Sequence, residues 1–146
     1  MMVSHMKTVS IFLILFVLSG CVTTNQIATQ NSLNLLKIEK GMPKDDVLKI
    51  MKTEPMLTYV PHYQYRPEEK RNEIIYWSIQ EPIPNPYRTE KKQIGQRELE
   101  ILYYYTQVKK ADNEITDDEL TPIVLEHGKV IGWGWDFLKK AIEGLD

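Results

Sequence analysis

The chain has 146 residues, 26% charged and 42% hydrophobic, with a net charge of -2. Such a balance is nearly neutral and mixed in sign, so it offers no electrostatic argument for nucleic-acid binding. One cysteine, Cys21, excludes an intramolecular disulfide.

The segment "SIFLILFVLSGCVTT" at residues 10–24 has an apolar core from 11 to 18. A spanning helix needs about 20 apolar residues, so this run is too short to cross a bilayer. Lys7 precedes it, and the small residues Ser19 and Gly20 close it before Cys21. That order predicts a cleaved secretory signal over residues 1–20. Leu18, Ser19, Gly20 and Cys21 also resemble a bacterial lipobox. The resemblance implies a diacylglycerol and an N-acyl chain on Cys21, and no other cofactor. Multiple acyl chains hold a protein stably on a bilayer, where one binds only reversibly. Val22 stands where an aspartate would favour the inner membrane, so the expected address is the outer membrane, with the domain in the periplasm.

Residues 21–31 read as the lipidated cysteine and a short flexible tether of small polar residues. Residues 32–146 then form one periplasmic domain. Leu33, Leu36 and Ile38 predict a first helix that stops at Gly41. In "GMPKDDVLKIMKTEP", residues 41–55, Pro43 fits a first helical turn, Asp45 and Asp46 suit the helix dipole, and Val47, Leu48, Ile50 and Met51 form the buried stripe.

After Pro55 the pattern becomes β-rich. Strands are expected over 56–65, 73–80 and 98–106, the last with Leu99, Ile101, Tyr103 and Tyr105 on one face. Residues 121–135 read as a hairpin with His127 and Gly128 at its tip, where Gly132 and Gly134 suggest close backbone approach or a bulge. Asp136 is the expected cap of a short last helix. The fold class is α+β: two N-terminal helices on an antiparallel sheet of three to five strands, with a short C-terminal helix.

Gly41, Met42, Val47 and the run Thr53, Glu54, Pro55 resemble the signature of the SmpA/OmlA (BamE-like) small outer-membrane lipoproteins. Pro43 replaces a capping Ser or Thr of that pattern, and Thr53 a glycine. The resemblance implies helices packed on an antiparallel sheet and an accessory role in barrel assembly. The ending "DNEITDDELTPIVLEHGKVIGWGW" is similar to that of a group of small proteobacterial lipoproteins without established activity, with Leu120 in place of their cysteine.

Chemistry is sparse. Asp112, Glu114, Asp117, Asp118 and Glu119 echo half a calcium loop, but Val108 and Lys110 occupy its first ligand positions. No metal or catalytic set is therefore assigned. The mature chain offers only His62 and His127 as imidazoles, so a small envelope hydrolase would need one of them beside a carboxylate in a cleft. Residues 80–97 read as a long proline-rich connection, with Pro82, Pro84 and Pro86 extended and Tyr87 and Arg88 following. Aromatic residues fall on both faces of the expected strands.

Pro84, Pro86, Tyr87, Arg88, Tyr104, Trp133 and Trp135 are the candidate partner-binding residues. The expected function is non-catalytic binding in outer-membrane or envelope assembly, with an envelope protein as partner and no nucleic acid or small-molecule substrate. The alternative of a different class is a proteinaceous inhibitor of a periplasmic hydrolase, since the β-lactamase inhibitor proteins use a similar helix and sheet unit.

Overall fold

A computed structural model describes residues 24–66, 73–110 and 114–144, with side chains left aside at 59–66, 73–78 and 80. The order is α1 (Thr24–Leu35), α2 (Lys44–Met51), β1 (Met56–Arg66), β2 (Glu73–Ile83), β3 (Arg88–Ile94), β4 (Arg97–Tyr105), a 3-10 turn (Asp117–Glu119), β5 (Leu120–Glu126), β6 (Lys129–Trp133) and α3 (Trp135–Glu143). Strands β1 and β2 form a two-stranded antiparallel ribbon, and β3-β4-β5-β6 a four-stranded antiparallel sheet. The α+β class follows, with three helices and two sheets among the described residues.

The first correction concerns the tether. Residues 24–30, read as a linker, form the first turns of α1, and Ile27 and Ala28 are buried there. The second concerns which face of that helix is covered. Leu33 and Leu36 are exposed, whereas Asn31 and Asn34 are buried with Ile27. The helical period holds, but the inward stripe carries two amides: Asn31 Nδ2 donates to the Tyr105 carbonyl at 2.8 Å and to Asn85 Oδ1 at 3.1 Å, and Asn34 Oδ1 accepts from Lys37, while Asn31 Oδ1 and Asn34 Nδ2 have no partner among the described residues. Hydrogen-bonded amides tolerate burial that unpaired ones do not.

Helix α2 follows its expected pattern more closely. Val47 and Met51 are fully buried, and Leu48 and Ile50 pack partly against the same cluster. Pro43 is the N-cap rather than a residue of the first turn, with Asp45 and Asp46 behind it. The helix ends at Lys52, which takes φ 62° without being glycine. That region is sterically costly for a residue with a Cβ. Asn85 supports the turn by donating Nδ2 to the carbonyls of Met51 at 2.6 Å and Lys52 at 2.8 Å.

The long connection over 80–97 contracts to four residues. β2 runs through Ile83, and Arg88 already opens β3, which returns through a tight turn at Gly95 into β4. Its charged sequence, RTEKKQI, suits an edge strand with an exposed outer row.

β4 and β5 are central and covered on both faces. Leu99, Ile101, Tyr103 and Tyr105 lie in a cluster with Ile27, Val124, Leu138 and Ala141, so α1 and α3 cover that side. Leu102 and Tyr104 lie in a second cluster with Val47, Met51, Ile123 and Leu125, under α2. Neither face of β4 is left for a partner.

The β5-β6 hairpin turns at His127 and Gly128 as expected, with both at positive φ. A register shift between Val124 and Leu125 bulges β6, and the backbone does approach closely at Gly132. A methyl there would sit 2.5 Å from the Phe137 ring of α3. Helix α3 is capped by Gly134 at φ 87°, not by Asp136, which falls in the first turn instead.

Two substitutions at the α2 terminus are expected to move stability in opposite directions. Asn85→Ala strips partners from two carbonyls and from Asn31, and should cost about 3 kcal/mol in urea unfolding. Lys52→Gly removes the Cβ from a left-handed backbone and should raise stability by about 1 kcal/mol. Equal midpoints for Asn85→Ala and wild type would show that the amide network is not needed.

Candidate functional site

Three segments far apart in sequence build one surface cluster. The ladder places Arg88 of β3 opposite Tyr103 of β4. The Arg88 guanidinium stacks over the Tyr103 ring with 4.1 Å to its centroid. From the other side Trp135, first residue of α3, meets the same ring at a centroid distance of 5.6 Å and 41°. Its indole Nε1 donates to the Leu120 carbonyl at 2.8 Å, fixing the ring against the start of β5.

Carboxylates complete the arrangement. Arg88 Nη1 donates to Asp117 Oδ1 at 2.6 Å, and Arg88 Nε lies 3.2 Å from Glu90 Oε1. The Tyr103 hydroxyl donates to Glu90 Oε2 at 3.1 Å. The hydrogen bond to Asp117 leads the causes that hold the guanidinium protonated above its usual range. Burial is the main reason that the Tyr103 hydroxyl is pushed up and stays neutral. A groove of about 430 Å³ runs beside the cluster, with Lys92 and Lys139 on its walls.

Chemically this is a rigid aromatic and cationic platform with its charges already oriented. Stacked Arg and Trp side chains lose little freedom on contact, which is why they recur at the centres of protein interfaces. Trp135 keeps 38% of its surface exposed.

The sequence candidates separate into groups. Arg88 and Trp135 come together through Tyr103. Pro84 and Tyr87 line a neighbouring pocket of about 270 Å³ with Tyr105 and Lys110. Pro86, half-buried, follows a cis peptide bond from Asn85. Trp133 is 38% exposed but pairs with Ile123 of the sheet, on the α2 side and away from Trp135. Tyr104 is a correction: it is fully buried in this chain's own core and offers nothing to a partner. Alternation alone could not reveal that both faces of β4 are covered.

The lipobox residues Leu18, Ser19, Gly20 and Cys21 lie outside the described residues, as does Asp112. The His62 side chain is likewise outside the description, and His127 sits exposed at the hairpin tip. No group of three His, Cys, Asp or Glu side chains able to hold a metal occurs among the described residues.

The acidic segment has another use. Glu119, buried to 1% exposure, accepts from the backbone N–H of Lys109 at 2.6 Å and of Thr116 at 3.1 Å. With the Thr116 side chain it forms a capping box around the 3-10 turn. Asp118 is held by Thr116 and Lys109, and Asp117 by Arg88. Tyr103 and Glu90 are site residues absent from the partner-binding candidates read from the sequence, and Asp117 was read only as part of the acidic run. The signal for the first two was the Ile94-Gly95-Gln96-Arg97 turn, which would have paired Arg88 with Tyr103 had β3 been recognised.

Residues 76–140 match a family model described as a protein of unknown function, DUF3192. That segment runs from β2 into α3 and contains Arg88, Tyr103, Asp117 and Trp135; the Gly41 to Pro55 signature lies outside it. No curated protein and no solved structure matches the chain.

The buried Tyr104 hydroxyl has no hydrogen-bond partner among the described residues, and burial pushes its pKa up. Tyr104→Phe should therefore fold within about 1 kcal/mol of wild type or above it, since no hydrogen bond is lost. Tyr104→Ala opens a cavity and should cost about 4 kcal/mol. Comparable losses in both variants, measured by urea denaturation, would mean that the hydroxyl does have a partner.

Proposed function

We propose that this protein is a lipid-anchored periplasmic lipoprotein of the outer membrane, acting as a non-catalytic binding protein in envelope or barrel assembly. The observation that carries the reading is the Arg88, Tyr103 and Trp135 platform. It joins two of the sequence candidates on one exposed surface, and its composition is that of interface hot spots. Support for the address comes from the signal-like N-terminus and from the lipobox resemblance at Leu18 to Cys21.

Anchoring changes what such a platform needs to achieve. A domain tethered to a surface meets neighbouring membrane proteins at high effective concentration, so modest affinity is enough for lasting contact. The partner class this favours is another envelope protein, one presenting aromatic or apolar side chains to Trp135 and the stacked Arg88.

Photocrosslinking in intact cells tests this, with the probe at Lys92 or Lys139 beside the platform and at Lys129 on the hairpin turn as control. Adducts to an envelope protein are expected from the first two sites only, falling about tenfold with Arg88→Ala, as for a hot-spot residue. They should also disappear with Cys21→Ala. Identical adduct patterns at all three sites would overturn the assignment.

A further inference from the structure

We propose that the outer ridge of α1, marked by Leu33 and Leu36, lies against the bilayer surface and fixes the orientation of the domain on it. The inference rests on the reading that Cys21 is lipidated.

Distance comes first. Only Val22 and Thr23 separate Cys21 from Thr24, where α1 begins. Three residues span about 10 Å at full extension. A lipidated Cys21 would therefore hold the start of α1 close to the headgroups. Residues 24–31, read as slack linker, belong to the helix, which shortens the chain left between the anchor and the domain.

The character of the helix comes second. Asn25, Thr29 and Leu33 follow one another at spacings of four on the side opposite the buried asparagines, and Leu36 continues that side in the turn just after the helix. Leu33 is 53% exposed and Leu36 82%. The stripe runs between two grooves, one of about 640 Å³ towards Pro55 and Met56 and one of about 460 Å³ towards Thr106 and Val108. Its residues therefore stand out as a ridge. Helix α1 itself contains no charged residue, and the neighbouring charges, Lys37 after Leu36 and Lys52 and Glu54 across the first groove, flank the ridge where they can stay among the headgroups.

These facts select the occupant. Interfacial helices lie in the membrane plane with apolar residues dipped into the headgroup boundary. Two leucines alone would bind weakly, but the anchor makes their contact intramolecular. A free peptide or a second copy would gain nothing from the closeness of Cys21 to Thr24.

The test uses the full lipidated chain in vesicles of phosphatidylethanolamine and phosphatidylglycerol. Leu33→Cys, Leu36→Cys and the control Lys129→Cys are each labelled with an environment-sensitive fluorophore, the Cys21 sulfur being consumed by its thioether. All three positions are exposed, and circular dichroism checks that the variants fold. Quenching by spin-labelled lipid should be about threefold stronger at 33 and 36 than at 129, as for residues at the interface. Equal quenching at all three overturns the inference. A blue shift at 36 without lipid quenching also overturns it, because a protein then covers the ridge. Mass spectrometry of the N-terminal peptide separates the two levels: absent acyl chains refute the anchor, and the membrane-facing ridge falls with it.

Discussion

The fold turns on two buried side-chain amides. Asn31 from α1 and Asn85 from the turn after β2 bond to each other, and between them they reach the Tyr105 carbonyl and the last carbonyls of α2. Four segments distant in sequence meet there through amide and carbonyl groups. A hydrogen bond adds only about 1 kcal/mol net, yet an unpaired buried carbonyl costs more than that. The knot therefore acts chiefly on specificity: any arrangement that displaces α1 from β4, or α2 from the Asn85 turn, leaves several polar groups stranded at once. Lys52 keeps its unfavourable backbone in that setting because the carbonyls on either side of it are held.

Around this knot the central sheet supplies the mass of the core. β4 and β5 carry apolar or aromatic residues on both faces, one against α1 and α3 and the other against α2. A doubly covered pair of strands needs helices on both sides, which explains why so short a chain commits three helices to packing. The Arg88 and Trp135 platform sits on the rim of this arrangement. Its rigidity is borrowed, since Tyr103 is 2% exposed and anchored in the core while its ring carries the contacts to Arg88 and Trp135.

What could be read from the sequence follows the strength of each local signal. The β5-β6 hairpin, α2 and α3 were legible, because Gly128 marks a turn and apolar spacing marks the helices. Helix α1 was placed too late and faced the wrong way: its buried stripe mixes Ile27 and Ala28 with two asparagines, and the partners of Asn31 lie 54 and 74 residues away. β3 was missed because an edge strand carries charge instead of alternation. For the site, Arg88 and Trp135 were chosen for their chemistry, whereas Tyr103 and Glu90 depended on a register that only the pairing of β3 reveals, and Asp117 on a 3-10 turn that brings it to Arg88. Tyr104 was misplaced because a tyrosine suits a core and an interface equally well.

The ribbon of β1 and β2 has a different consequence. Joined to no other strand of the described fold, it leaves a row of peptide groups on each outer edge, the kind of row that recruits further strands and starts aggregation. Each edge also carries its own interruption. Pro61 lies in β1, and Pro82 lies in β2 opposite Leu57, four residues from Pro61 and hence in the same class of pairing. Prolines in paired strands keep their missing donor on the outer side. Each row therefore lacks a hydrogen where an added strand would look for one, and the ribbon can remain uncovered in a crowded compartment without becoming a template for its own copies.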